Sequence, residues 1–490
     1  MSQDELADEK KGLAHFPPSS SSASSNHSLN NNKQRHNNGK HHDHSGLSGA
    51  YKRWSGAYIA DNGNDEAHNK QERIGWIDGL RFFAAWLVIN GTFFDATIGN
   101  SDRYSAIQRA SPAYMFRSFG LGLCFFLIIL GRALSAPLWD LSLIGKVHGS
   151  PVQPTISFPR LTRAMLTRTF RFILPVMVVA ALIWGLGASN ATKDCNAAGM
   201  QQPYWNLISR FAGWITIIFN SFSAFEYDTN AAKTYAGNLW TCAWFFDSSF
   251  MVYIVHMMLG NLSSSRHWIY GILGFLMWTT NNYFLPAIIG LAFSDLAAHG
   301  HFARVRKWPF MRSMIVHIVL LAIALAFQFV NPLRDNVNKG LAVINVTNHD
   351  EIQFCDVIFV TCIMLIFETS KIAQMIFGNI VMRMLGKLAP GMYLLSSPIT
   401  YTIVPSLAVS LSNNGTTGSG ILGVTWVVCF AVSVVAAIPF HFLVELPSKL
   451  AGEYVIEFMT KWGRSPEENA TMVKGPQSKA PKKIAGPGAK

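Results

Sequence analysis

The sequence predicts an all-α, polytopic membrane protein with about ten transmembrane helices, on three observations. Half of the 490 residues are hydrophobic and only 14% are charged, where a soluble domain carries nearer a quarter. The mean hydropathy is +0.22. The apolar residues also gather in repeated runs approaching 20 residues, the length that crosses a bilayer core.

Residues 1–72 come first, rich in Ser, Asn, His and Lys. They carry too little apolar surface to offset the entropy of ordering, which predicts a disordered tail. The His41-His42-Asp43-His44 run reads as part of that solvated tail, and no metal site is expected. No apolar segment of the signal-peptide kind lies near Met1, so the first span is expected to direct insertion.

The spans are expected near 80–98, 119–138, 170–188, 240–259, 268–281, 284–298, 314–331, 354–368, 388–408 and 421–443. Only Asn281 and Asn282 separate the fifth from the sixth. The stretch 203–221, with Trp205, Phe211, Trp214 and Phe219, has the aromatic content of an interfacial helix. Residues 73–450 thus form one membrane domain, and 451–490 a basic tail. No internal repeat is visible, which disfavours transporter folds built from inverted halves.

Charge sets the expected orientation. Arg160, Arg163 and Arg168, then Arg304, Arg306, Lys307 and Arg312, then Lys371, Arg383 and Lys387 all fall in loops on one side. The positive-inside rule makes that side cytosolic, with both termini on it and an even number of spans. Endoplasmic reticulum and plasma membrane fit equally. The sequons at Asn190, Asn345 and Asn414 fall on the opposite side, as a glycoprotein requires, although others occur at Asn261 and Asn469 on the cytosolic side. The formal charge of +12 lies in loops and tails with no nucleic-acid motif, so the expected partner is the lipid bilayer and not nucleic acid. Six cysteines, without a Cys-x-x-Cys, mostly pack as small hydrophobes; a disulfide from Cys195 stays open.

Two features carry chemistry. Arg81 opens the first span in Ile77-Asp78-Gly79-Leu80-Arg81, and an ionisable group there marks a site or snorkels to the headgroups. Arg168 and Arg171 are three apart, on one helical face at a cytosolic helix mouth. Their planar forks suit phosphate oxygens, such as those of coenzyme A, or else anchor the helix.

Several stretches resemble landmarks of the acyltransferase-3 family in its fungal form. They are Ile77-Asp78-Gly79-Leu80-Arg81, Phe125-Phe126 with Gly131, Arg168-Thr169-Phe170-Arg171 with Pro175, Leu239-Trp240-Thr241, Leu385-Gly386-Lys387 with Tyr393-Leu394, and Val444-Glu445-Leu446-Pro447-Ser448, in the family's order. The resemblance implies acyl transfer from acyl-CoA, a co-substrate held by Arg168 and Arg171, to a small hydroxylated acceptor. Arg81 would stabilise charge near the thioester. Glu445 would be structural.

The sequence departs from the family where it needs a base. The family's His, Glu and second His align with Thr92, Phe245 and Ser396. Asp95 and Asp247 are the expected catalytic substitutes, as carboxylates within or near the membrane; His256 and His317 are further intramembrane candidates. Asp295, near a helix end, is expected to be solvated or capping. The same departures allow a catalytically inactive acyl-CoA or lipid-binding relative, a sensor or partner subunit. The buried polar residues and the number of spans also allow a small-molecule exporter.

Overall fold

The computed structural model describes residues 75–98, 118–140, 155–156, 158–200, 203, 237–259, 266–345 and 352–462. The 1–72 segment, the interfacial stretch beyond Pro203 and the chain after 462 lie outside the described residues. The order is α1 (Gly75–Ile98), α2 (Phe119–Ser135), β1 (Trp139–Asp140), β2 (Thr155–Ile156), α3 (Phe158–Ala188) and α4 (Cys242–Leu259). Then follow α5 (Arg266–Thr280), α6 (Phe284–Ala298), α7 (His301–Val305), α8 (Phe310–Phe329) and α9 (Asn331–Ala342). The chain ends in α10 (Phe354–Thr369), α11 (Lys371–Phe377), α12 (Ile380–Asn413), α13 (Gly418–Phe440) and α14 (Leu446–Trp462). The two short strands pair antiparallel, Trp139 opposite Ile156.

Each of the ten apolar runs forms a helix, but among the described residues seven helices, not ten, are long and apolar enough to cross a membrane. The shortfall lies in α5, α6 and α10, of 15, 15 and 16 residues. At 1.5 Å per residue they reach only about 22–24 Å, against a core near 30 Å.

Helices α1, α2, α4 and α12 form the centre of the bundle, and α8 and α13 its rim. Leu80, Ala84, Val88 and Phe93 of α1 are completely buried. Phe310, Ile315, Ile318 and Val319 of α8 are exposed, as are Val427 and Val435 of α13, which suits helices that face acyl chains. The centre is tight because glycines let backbones touch. A Cβ on Gly386 of α12 would collide with the Asp78 carbonyl of α1, and Gly131 of α2 and Gly290 of α6 meet each other's helix backbone in the same way. Two of the stretches read from sequence, around Asp78-Gly79 and Leu385-Gly386, are therefore one contact. Small residues are the means by which apolar helices approach closely. Gly386→Ala is expected to cost about 1–3 kcal/mol as an overpacking change, read as a lower melting temperature of the purified protein.

Two buried ion pairs cross-link the helices. Arg132 Nε of α2 donates to Glu368 Oε1 of α10 at 2.7 Å, with the side chains 6% and 4% exposed. Arg266 of α5 grips Asp295 of α6 through two 2.7 Å hydrogen bonds, and Asp295 is fully buried. This corrects the expectation that Asp295 is solvated or capping. Its carboxylate also lies 3.0 Å from His299 Nδ1, while Arg266 Nη2 is 2.9 Å from His299 Nε2. Because arginine only donates, His299 is held as the Nδ1–H tautomer between the two.

The last apolar run does not stop at Glu445. The N–H of Leu446 donates to the carbonyl of His441, so 441–445 form a widened π turn just after Pro439. The helix then resumes as α14, so residues 451–462, expected in the tail, are helical. Gly452 packs against Thr167 and Phe170 of α3. All six cysteines are free; the Cys195 thiol donates to the Tyr401 carbonyl instead of bridging.

Candidate functional site

The arginines read from sequence lie within range of one another's charge. Arg168 is half-buried on α3, donates from Nε to Ser249 Oγ of α4 at 3.1 Å, and stacks 4.4 Å over the Phe172 ring. The charges of Arg171, on the same face of α3, and of Arg81, on α1, both act on it. Tyr253 of α4 lies within the field of Arg168 and Arg171. Arg81 Nη1 is held at 2.7 Å from the buried carboxylate of Asp78. Asp78 thus partners Arg81, while Arg168 feels the charges of both Arg81 and Arg171.

The spacing of α3 explains this presentation. Arg168 and Arg171 sit one turn apart, and Pro175 cannot donate to the carbonyl of Arg171 four residues back. Phe172 and Ser249 fix the Arg168 fork, so little of its freedom remains to be lost when an anion binds.

A second, neutral cluster lies deeper. Asn238 Nδ2 donates to Ser396 Oγ at 2.7 Å, to the Tyr393 carbonyl at 3.2 Å and to Thr92 Oγ1 at 3.2 Å. Thr241 and Tyr393 hydroxyls also hydrogen-bond each other. Phe245 packs edge-on against the Tyr393 ring. The three positions that depart from the family pattern, Thr92, Phe245 and Ser396, are therefore neighbours around Asn238 and Tyr393. Along α1 this cluster is 11 residues beyond Arg81, about 16 Å at the helical rise.

The two aspartates expected as bases do not enter either cluster. Asp95 is exposed, 14 residues past Arg81 on α1, about 21 Å away, and its charge acts on Tyr401. Asp247 accepts from the Tyr283 hydroxyl at 3.4 Å. It stands two residues before Ser249, hence on the opposite side of α4 from Arg168. Arg81, expected near the thioester, also lies within the charge field of Arg168, one of the pair expected to bind the cofactor. His256 lies within the field of Asp295 and Arg266, and His317 pairs with Thr369 at 2.9 Å. Among the described residues no set of three or more His, Cys, Asp or Glu side chains is placed to hold a metal ion.

Two residues escaped sequence reading. Asn238 directly precedes Leu239-Trp240-Thr241 and carried no signal of its own. His441 stands four residues before Glu445, a helical spacing that pairs side chains, and its Nδ1 lies 2.6 Å from Glu445 Oε2. No family model, curated protein or solved structure matches this chain.

Proposed function

We propose that this chain binds acyl-CoA through Arg81, Arg168 and Arg171 and transfers the acyl group to a hydroxyl of a small-molecule acceptor, in the manner of acyltransferase-3 proteins. One observation carries the reading: Arg81 and Arg168, 87 residues apart in sequence, share one electrostatic neighbourhood with Arg171. Guanidinium forks suit the diphosphate and 3′-phosphate of coenzyme A. The basic end of the bundle then faces the cytosol, where that carrier is found, in endoplasmic reticulum or plasma membrane. The exposed Asn190 and Asn414 would carry glycans on the other side. The Thr92–Asn238–Ser396 cluster offers neutral donors and acceptors that suit an acceptor hydroxyl.

A second reading is favoured by that same cluster, which holds no acid or base near neutral pH. The chain would then bind acyl-CoA without turning it over. Purified protein in nanodiscs, given acetyl-CoA or palmitoyl-CoA, separates the two. Thiol release that vanishes in Arg168→Ala/Arg171→Ala supports transfer. Binding without release, indifferent to Asp95→Asn, supports the sensor. Neither binding nor release removes both. In the sensor case, Thr92→His is expected to raise release toward the roughly 10²–10⁴-fold that a placed base contributes.

A further inference from the structure

We infer that His441, oriented by Glu445 at the π turn, is the proton acceptor for the transfer, and this rests on the acyl-CoA reading above. The reaction needs a base, and the positions where the family keeps one hold Thr92, Phe245 and Ser396. His441 and Glu445 form a histidine–carboxylate pair on the helix that closes the bundle. With Nδ1 donating to Glu445 Oε2 at 2.6 Å, Nε2 is left as the lone-pair nitrogen, the arrangement a carboxylate imposes on a basic imidazole. The side chains are only 19% and 15% exposed.

The pair faces inward. His441, Glu445, Ser448, Gly452 and Ile456 recur at three- and four-residue spacing, and Ser448, Gly452 and Ile456 are buried. Phe442 and Leu443, on the other side, are exposed. Glu445 Oε1 is buried with no hydrogen-bond partner among the described residues, and a Cβ on Gly391 of α12 would sit 3.3 Å from it. Gly391 is five residues before Ser396 on the same helix, about 7 Å along the axis.

In depth along the helices, the pair falls between the two clusters. Gly452 of α14 touches Thr167 and Phe170, the turn that carries Arg168. Counting back from Gly452, Glu445 and His441 are seven and eleven residues further in, about 10 and 16 Å. A carrier anchored by its phosphates at Arg168 extends its pantetheine arm toward that depth, bringing the thioester between His441 and the neutral cluster. A π turn is the local distortion that re-aims side chains at such places; here Pro439 adjoins it.

The step balances without an oxidant or reductant. His441 Nε2 takes the proton of the acceptor hydroxyl as its oxygen attacks the thioester carbon. The C–O bond forms, the C–S bond breaks, and the thiolate leaves. The imidazolium returns the proton to that thiolate, giving an ester and coenzyme A. Glu445 is a positioning residue: it fixes the tautomer and steadies the imidazolium.

The test uses full-length protein in nanodiscs, with acetyl-CoA and palmitoyl-CoA as donors and water or 1-octanol as acceptor. Thiol release and coenzyme A binding are measured in the same samples. His441→Ala is expected to bind coenzyme A with unchanged affinity while release falls about 10²–10⁴-fold, and added imidazole is expected to restore part of it. Glu445→Gln is expected to lower kcat with KM for the donor unchanged. Release by His441→Ala equal to that of the unmutated protein overturns the proposal and leaves the acyl-CoA reading standing. Binding by the unmutated protein without any release overturns the proposal and leaves the sensor reading. Loss of coenzyme A binding in a folded His441→Ala protein overturns it too, since the residue would then serve the carrier and not the proton. Absence of coenzyme A binding in the unmutated protein defeats the acyl-CoA reading itself.

Discussion

Arg168→Ala/Arg171→Ala is expected to weaken coenzyme A binding by about 10²–10⁴-fold. A hydrogen bond to a charged group contributes about 1.5–3 kcal/mol, and two of them together span that range at 1.4 kcal/mol per decade. The larger share should fall on Arg168, because its fork is already fixed by Ser249 and Phe172 and loses little freedom on binding. Arg171 is exposed, where water screens its charge. Arg168→Lys keeps the charge but loses the planar fork and the stack, so it is expected to recover only part of the affinity. Titration of coenzyme A and of its 3′-dephospho form into the purified variants checks this. Equal binding by the double variant and the unmutated protein would remove these arginines from the site.

Glu368→Ala should destabilise the fold by about 3–5 kcal/mol, the cost of leaving a buried partner charge uncompensated. Arg132 is 6% exposed and its Nε has Glu368 Oε1 at 2.7 Å, so removing the carboxylate strands a guanidinium in the bundle. Arg306 also lies within the field of Glu368, and Glu368→Ala withdraws the counter-charge from both. The double replacement Arg132→Met/Glu368→Leu should be much milder, since apolar groups of similar volume can substitute for a buried pair. Thermal unfolding in detergent, run as a double-mutant cycle, separates the pair's coupling from the packing change. A single variant as stable as the parent would mean water reaches the guanidinium.

Much of the architecture was legible because hydropathy alone fixes where helices run. All ten apolar runs are helices, and Asn281-Asn282 does make the turn between α5 and α6. Length was the weak point: α5, α6 and α10 are apolar enough to be noticed but too short for an upright span. The arginine face was legible too, since Arg168 and Arg171 share a helical face by spacing alone. That the charge of Arg81 reaches Arg168 depends on how α1 packs against α2 and α12, which no local pattern encodes. Asp95 and Asp247 looked central because carboxylates in apolar helices are rare. The rotation of each helix, set by packing, turned one to the exposed surface and the other to Tyr283. Asp295 was misread for the same reason: a position near a helix end does not tell which neighbour it meets, and Arg266 comes from the preceding helix. His441 stands four residues before Glu445, but that spacing alone does not tell whether the two side chains meet.

The stretch from Gly418 to Met459 is effectively one rod of 42 residues, about 63 Å by helical rise. That exceeds the roughly 40–45 Å of a whole bilayer with its headgroups, so the rod cannot stand upright and remain immersed. Its last third instead lies along α3, with Gly452 against Thr167 and Phe170. Leu450, Tyr454 and Phe458, spaced four apart and exposed, form an apolar stripe on the face opposite that contact, a face suited to lipid.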